Sequence, residues 1–226
     1  MTDLHQPDTS TSLGERAYHD LRARIVRLEF APGDVLKEND LQELLGVGRT
    51  PIREALQRLA REHFVTVIPR RGMYVSGIEL EELSLLFETR TVLEPYAARL
   101  AATRGTDDDW VSMAETLDQT HQPGLEAPEL LELDRRCHEI MWSAAGNRFL
   151  VDTLDMLYAQ SDRLWHLYLS DVSDMDHAVE QHTAILEALR SGDGDAAAEQ
   201  VDAHVRAFDQ QVRAAVTERL TSPLAG

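Results

Sequence analysis

The chain has 226 residues, with 22 Lys and Arg against 40 Asp and Glu, a formal net charge of -18 and 43% hydrophobic residues. This composition excludes a disordered chain, and the length allows one large domain or two small ones, each able to bury a core. No apolar run is long enough to cross a bilayer, the N-terminal stretch is polar rather than signal-like, and the lone Cys137 cannot form an internal disulfide, so a cytoplasmic protein is expected.

In chain order, residues 1–11 are polar, include Pro7, and read as a disordered tail. Ser12 with Glu15 fits a capping box opening a helix to about Glu29, whose inward stripe is Ala17, Leu21, Ile25 and Leu28. Pro32-Gly33 forces a turn. Asn39 then caps a short helix that Gly46 ends in the left-handed region. A further helix follows from about Thr50 to Glu62 with Pro51 in its first turn, where a missing N–H costs nothing. Two β-rich runs, 64–68 and 73–76, flank Pro69-Arg70-Arg71-Gly72 and predict a hairpin. Helix, helix-turn-helix and two-stranded wing together predict a winged helix over 12–78.

From Glu79 onward the pattern is helical throughout, in six segments: 80–103, 107–121, 127–144, 148–170, 175–190 and 194–219. Pro95 lies inside the first and is expected to kink it or end it at Glu94. The fold class is therefore mainly α, a winged helix-turn-helix domain followed by an all-α bundle over 79–226.

A charge of -18 taken whole argues against a nucleic-acid partner, because phosphates repel acidic surfaces. Divided at Ile78, it separates into net 0 over 1–78 and -18 over 79–226. Between Val47 and Gly72 six arginines stand against two acids, which is compatible either with a solvated helix face or with a local DNA-binding patch. Val47, Ile52, Leu56 and Leu59 are spaced to face inward, leaving Arg49, Thr50 and Arg53 outward near a helix N-terminus. That end of a recognition helix enters the major groove, where arginine pairs bidentately with guanine. Thr50 and the helix-start N–H groups suit a phosphate oxygen, and Arg70 and Arg71 at the hairpin tip suit a minor groove or backbone.

The string Gly46-Val47-Gly48-Arg49-Thr50-Pro51-Ile52-Arg53-Glu54-Ala55-Leu56 resembles the winged helix of GntR-type bacterial transcription regulators. Gly48, where the family usually has Ser, and Ile52 depart from its usual pattern. Glu38-Asn39-Asp40-Leu41 also resembles the family, and Pro69 to Val75, including Gly72, looks like its wing. The resemblance implies that Gly48, Arg49, Thr50, Arg53, Arg70, Arg71 and Gly72 lie at a DNA interface.

In the bundle, Asp134 and His138 are spaced i, i+4 and share a helix face, while His182 and His204 share faces with apolar core residues. Taken singly, each histidine reads as a hydrogen-bonded core residue. Three imidazoles and a carboxylate on three helices fit a borderline divalent cation such as Zn, Ni, Mn or Fe. Leu133 to Ile140, followed by Gly146-Asn147-Arg148-Phe149-Leu150, resembles the FCD effector domain of the FadR-like GntR subgroup. That resemblance implies Asp134, His138, His182 and His204 as metal ligands. Glu88 to Glu94 resembles the domain's first-helix signature, which places Arg90 as a partner for an effector carboxylate, although pairing with Glu94 is equally open. Cys137 reads as packing rather than as a nucleophile. The expectation is a regulator, most often a repressor in such families, that binds an inverted-repeat operator as a homodimer and responds to a small organic acid at a metal. A regulator sensing the metal itself and a metal-dependent hydrolase are the alternatives.

Overall fold

The structure is a computed structural model that describes residues 12–77, 80–168 and 175–221. The expected tail over 1–11 and the expected break near Ser173 lie outside the described residues. The chain divides into two compact units, Met1–Ile78 and Glu79–Gly226.

The first unit contains α1 (Leu13–Val26), α2 (Glu38–Leu45), α3 (Arg49–Arg61), β1 (Val65–Ile68) and β2 (Gly72–Val75). Ser12 caps α1, its Oγ accepting from the Glu15 N–H at 3.1 Å. The Glu15 carboxylate does not close the expected box. It accepts from Arg58 of α3 at 2.8 and 3.0 Å, because an interhelical cation offers a charge-assisted bond. The helix stops at Val26 rather than Glu29, since Leu28 turns left-handed at φ 59°. Asn39 is likewise not the cap of α2: extended Lys37 holds that place without a side-chain bond, and Asn39 lies in the first turn. Gly46 ends α2 at φ 64° as its missing Cβ allows. Leu21 and Ile25 of α1, Ile52, Leu56 and Leu59 of α3, and Phe64 are fully buried and form the unit's core. Each contributes about 1.5–3 kcal/mol by leaving water. β1 and β2 pair antiparallel from Val65 opposite Val75 to Ile68 opposite Gly72, and 33–36 runs along the other edge of β2 through a Val35–Tyr74 bridge.

The second unit contains α4 (Leu80–Arg104), α5 (Asp107–Gln119), α6 (Ala127–Ala144), α7 (Arg148–Tyr168), α8 (Met175–Ser191) and α9 (Gly194–Thr221). Thr106 and Asp109 exchange bonds as a capping box at the start of α5. Gly105 just before it is required by space, since a Cβ there would meet the Trp110 ring at 2.2 Å. The α4–α9 pair is the most extensive contact, and α4 also packs on α6, α7 and α8. Trp142, Trp165, Met113, Met141 and Leu154 fill the interior. Of the two outcomes expected at Pro95, a kink or an end at Glu94, the end does not occur: α4 runs through Pro95 to Arg104. Packing over its whole length outweighs one lost bond, but proline has no N–H, so the Thr91 carbonyl loses its helical donor.

Candidate metal centre and nucleic-acid interface

The segment 46–53 builds the outer face of the first unit. Extended Gly48 precedes α3 as its N-cap and supplies no side-chain bond to the exposed N–H groups. Arg49, Thr50 and Arg53 are exposed on the first turns of α3, while Ile52, Ala55 and Leu56 hold the opposite face in the core. Both arginines rest on one acid. Arg53 Nε donates to Glu38 Oε1 at 2.7 Å, and Arg49 Nε stands 3.6 Å from Glu38 Oε2. Arg70 occupies the hairpin tip at φ 65°, followed by exposed Arg71 and by Gly72 at φ 114°. The basic run thus contains members of different kinds. Arg58 lies 3.6 Å above the Tyr18 ring and donates to both Glu15 and Glu62, which makes it a tie between α1 and α3.

In the second unit, α6, α8 and α9 bring Asp134, His138, His182 and His204 together, with one ligand atom from each lying within 4.8 Å of the others. The three histidines are buried. His138 Nε2 and His204 Nε2 are 3.2 Å apart, and Asp134 lies 3.8 and 3.9 Å from these two nitrogens. The Nδ1 atom of each ring faces an acceptor. His182 Nδ1 donates to the Ala178 carbonyl at 2.9 Å, with Asp134 Oδ1 3.4 Å away. His204 Nδ1 faces Gln181 Oε1 at 2.9 Å, and His138 Nδ1 faces Glu94 Oε2 at 3.2 Å. Tyr158 donates to Asp134 Oδ2 at 2.5 Å.

This arrangement tests whether a cation fits. A carbonyl only accepts, so the His182 proton is on Nδ1 and the Nε2 lone pair is free; that atom is buried and has no hydrogen-bond partner among the described residues. His138 Nε2 and His204 Nε2 stand in a 3.2 Å hydrogen bond, so without an ion one of the two rings carries its proton on Nε2 and the other offers a lone pair. A cation ligated by both nitrogens would take the place of that proton. Burial, with the neighbouring histidines, pushes His204 well below the usual imidazole range, and burial lowers His182 as well, so both favour the neutral form that metal ligation needs. The residues fit a divalent ion bound by nitrogen and oxygen.

A cleft opens beside Asp134, His138 and His204, with Arg90, Tyr158, Asp162, Gln181, Phe208 and Gln211 among its lining residues. Arg90 is buried there, and its Nε donates to Glu94 on the next turn of α4. Burial opposes the Glu94 charge, but Arg90 and His138 overcome it and hold the carboxyl down to about 2. Cys137 is buried, and burial with the nearby Asp134 charge pushes its thiol up to about 12. Sequence reasoning gave Tyr158 and Gln181 no role, named Glu38 only within a segment resembling the family, and read Glu94 only as a partner for Arg90. Only the i, i+4 spacing of Arg90 and Glu94 offered a local signal.

Comparison with known proteins matches residues 13–75 to the model described as bacterial regulatory proteins, gntR family, and residues 85–207 to the FCD domain. The Nta operon transcriptional regulator of Aminobacter aminovorans is 34% identical over 201 residues, covering 87% of this chain and 94% of that protein. The HTH-type transcriptional repressor RspR of Escherichia coli K12 is 29% identical over 216 residues, covering 94% of each. Among solved structures, E. coli McbR/YncC superposes with a TM-score of 0.78 at 22% identity, covering 93% of this chain and 99% of that one.

Proposed function

The chain belongs to the GntR family of bacterial regulatory proteins and carries an FCD domain, and from that premise we propose that it is a ligand-controlled repressor whose signal is a small organic acid bound at a metal. It is a DNA-binding transcriptional regulator rather than an enzyme. The observation that carries the finer reading is the buried Asp134-His138-His182-His204 cluster beside a cleft. Asp134 and the three imidazoles would hold a Zn, Ni, Mn or Fe ion, which supplies a positive charge and open coordination positions for a carboxylate. Arg90 adds a cation in the cleft wall, partly neutralised by Glu94. The acid must favour one state of the protein over another, or operator affinity does not change.

On DNA, Arg49 and Arg53 read guanine edges, Gly48 and Thr50 approach phosphate, and Arg70, Arg71 and Gly72 of the wing follow the adjacent groove or backbone. An inverted-repeat operator and a homodimer supply the specificity that one module lacks, and the cytoplasm is its compartment. Among the described residues no helix is long and apolar enough to span a membrane.

Metal analysis of the purified chain, with light scattering for its mass, tests the first step. His182→Ala and His204→Ala should both lower metal content, and content unchanged by either removes the centre. Carboxylic acids are then screened against an operator selected from random DNA, and none altering affinity removes the acid. The sequestration of Arg90 by Glu94 favours a second reading, in which the ion itself is the signal. Operator affinity that follows metal alone decides for it.

A further inference from the structure

Glu94 is completely buried in the middle of α4, and its two oxygens have different neighbours. Oε1 accepts from Arg90 Nε. Oε2 lies 3.2 Å from His138 Nδ1, an ion-pair distance, and neither atom is in hydrogen-bond geometry with any group among the described residues. The His138 ring packs against Trp142 and Tyr158, with centroids 5.3 and 5.1 Å away. Packing thus fixes the plane of the ring but cannot choose which nitrogen carries the proton. That choice belongs to the polar neighbours, an acceptor-only carboxylate at Nδ1 and a second imidazole at Nε2.

We infer that Glu94 is a positioning residue of the metal centre: it accepts the Nδ1 proton of His138 and so keeps the Nε2 lone pair directed at the cluster, with Arg90 as its counter-ion. The inference rests on the metal reading above and deepens it. A carboxylate behind a ligating imidazole fixes its tautomer and increases its basicity. Arg90 Nε donates to Glu94 Oε1 and so holds the carboxylate that faces His138, linking a cation in the cleft wall to the centre through two intervening groups. The partners of the other ligands, Tyr158, Gln181 and the Ala178 carbonyl, come from α7 and α8. Glu94 alone among these partners brings α4 to the centre.

The test uses the full chain with Zn²⁺ as probe, measured by chelator competition, and ¹⁵N NMR of the imidazoles in metal-free protein at alkaline pH. Glu94→Gln retains shape but places an amide beside Nδ1; with its carbonyl on Arg90, its NH₂ donates to that nitrogen and drives the proton to Nε2. Zn²⁺ affinity should fall about 10–100-fold, and His138 should change from the Nδ1–H to the Nε2–H form. If the single variant misfolds because Arg90 is left uncompensated, the double variant Arg90→Met, Glu94→Leu removes both charges together and should show the same two changes. An unaltered Zn²⁺ affinity with His138 still Nδ1–H in the folded variant overturns the inference. Failure of the unaltered chain to bind Zn²⁺ overturns the metal reading instead. The tautomer then decides alone, with Nε2–H in the unaltered protein counting against Glu94 and a variant-induced change from Nδ1–H counting for it.

Discussion

Single residues carry the sharpest chemical expectations. Arg49→Ala or Arg53→Ala should weaken operator binding by about 1–3 kcal/mol each and relax base preference, measured by titration against operator and random DNA. Glu38 lies behind both arginines and fixes the Arg53 guanidinium through Nε. Glu38→Gln removes a negative charge near phosphate but releases that orientation. Affinity for random DNA should rise and the operator-to-random ratio should fall; an unchanged ratio would show that Glu38 positions neither side chain. In the bundle, His182 and His204 are lowered from the ordinary imidazole value of about 6.5. The unfolded chain therefore takes up their protons first as acid is added. The stability that follows from the neutral rings is complete above about pH 6.5 and is lost as pH falls toward the depressed values. Urea titrations of metal-free protein across that window should show this loss, and His182→Leu should reduce it.

At the scale of elements, α1 and α3 meet through Arg58, Glu15, Glu62 and Tyr18. The ion pairs are partly exposed and individually weak, so Arg58→Met should lower stability by only about 1 kcal/mol, with little change in base preference. That contrast separates a structural arginine from Arg53, five residues away in the same basic run. In α4, Pro95 leaves the Thr91 carbonyl without its helical donor. Pro95→Ala should slow hydrogen exchange in the middle of α4 and stabilise the second unit by about 1–3 kcal/mol in urea titration. The helices themselves were legible because apolar residues recur at helical spacing and glycine or proline marks their ends. The local errors came from competition: Glu15 found Arg58 instead of its own helix start, and Lys37 took the cap position ahead of Asn39. The ligand set was legible because Asp134 and His138 share a face and the segments resemble a known domain. Glu94, Tyr158 and Gln181 were not legible in those roles, since meetings between helices depend on rotation and separation that periodicity does not encode.

For the whole molecule, the limits of the two compact units coincide with the charge division. Net 0 lies on one side of the boundary and -18 on the other; the basic residues divide equally, 11 and 11, and the excess of acids makes the difference. A regulator must leave the wrong sites of a chromosome as readily as it holds the right one. Phosphate attraction is local to a few exposed side chains, while repulsion from the acidic unit acts over roughly 8 Å in physiological salt. Residence on random DNA should accordingly be brief, and affinity for it should decline with salt on a shallow slope that reflects few neutralised phosphates. A chain shortened to its first unit should then stay longer on random DNA than the full chain, and equal residence times would show that the half that reads no sequence has no part in search speed.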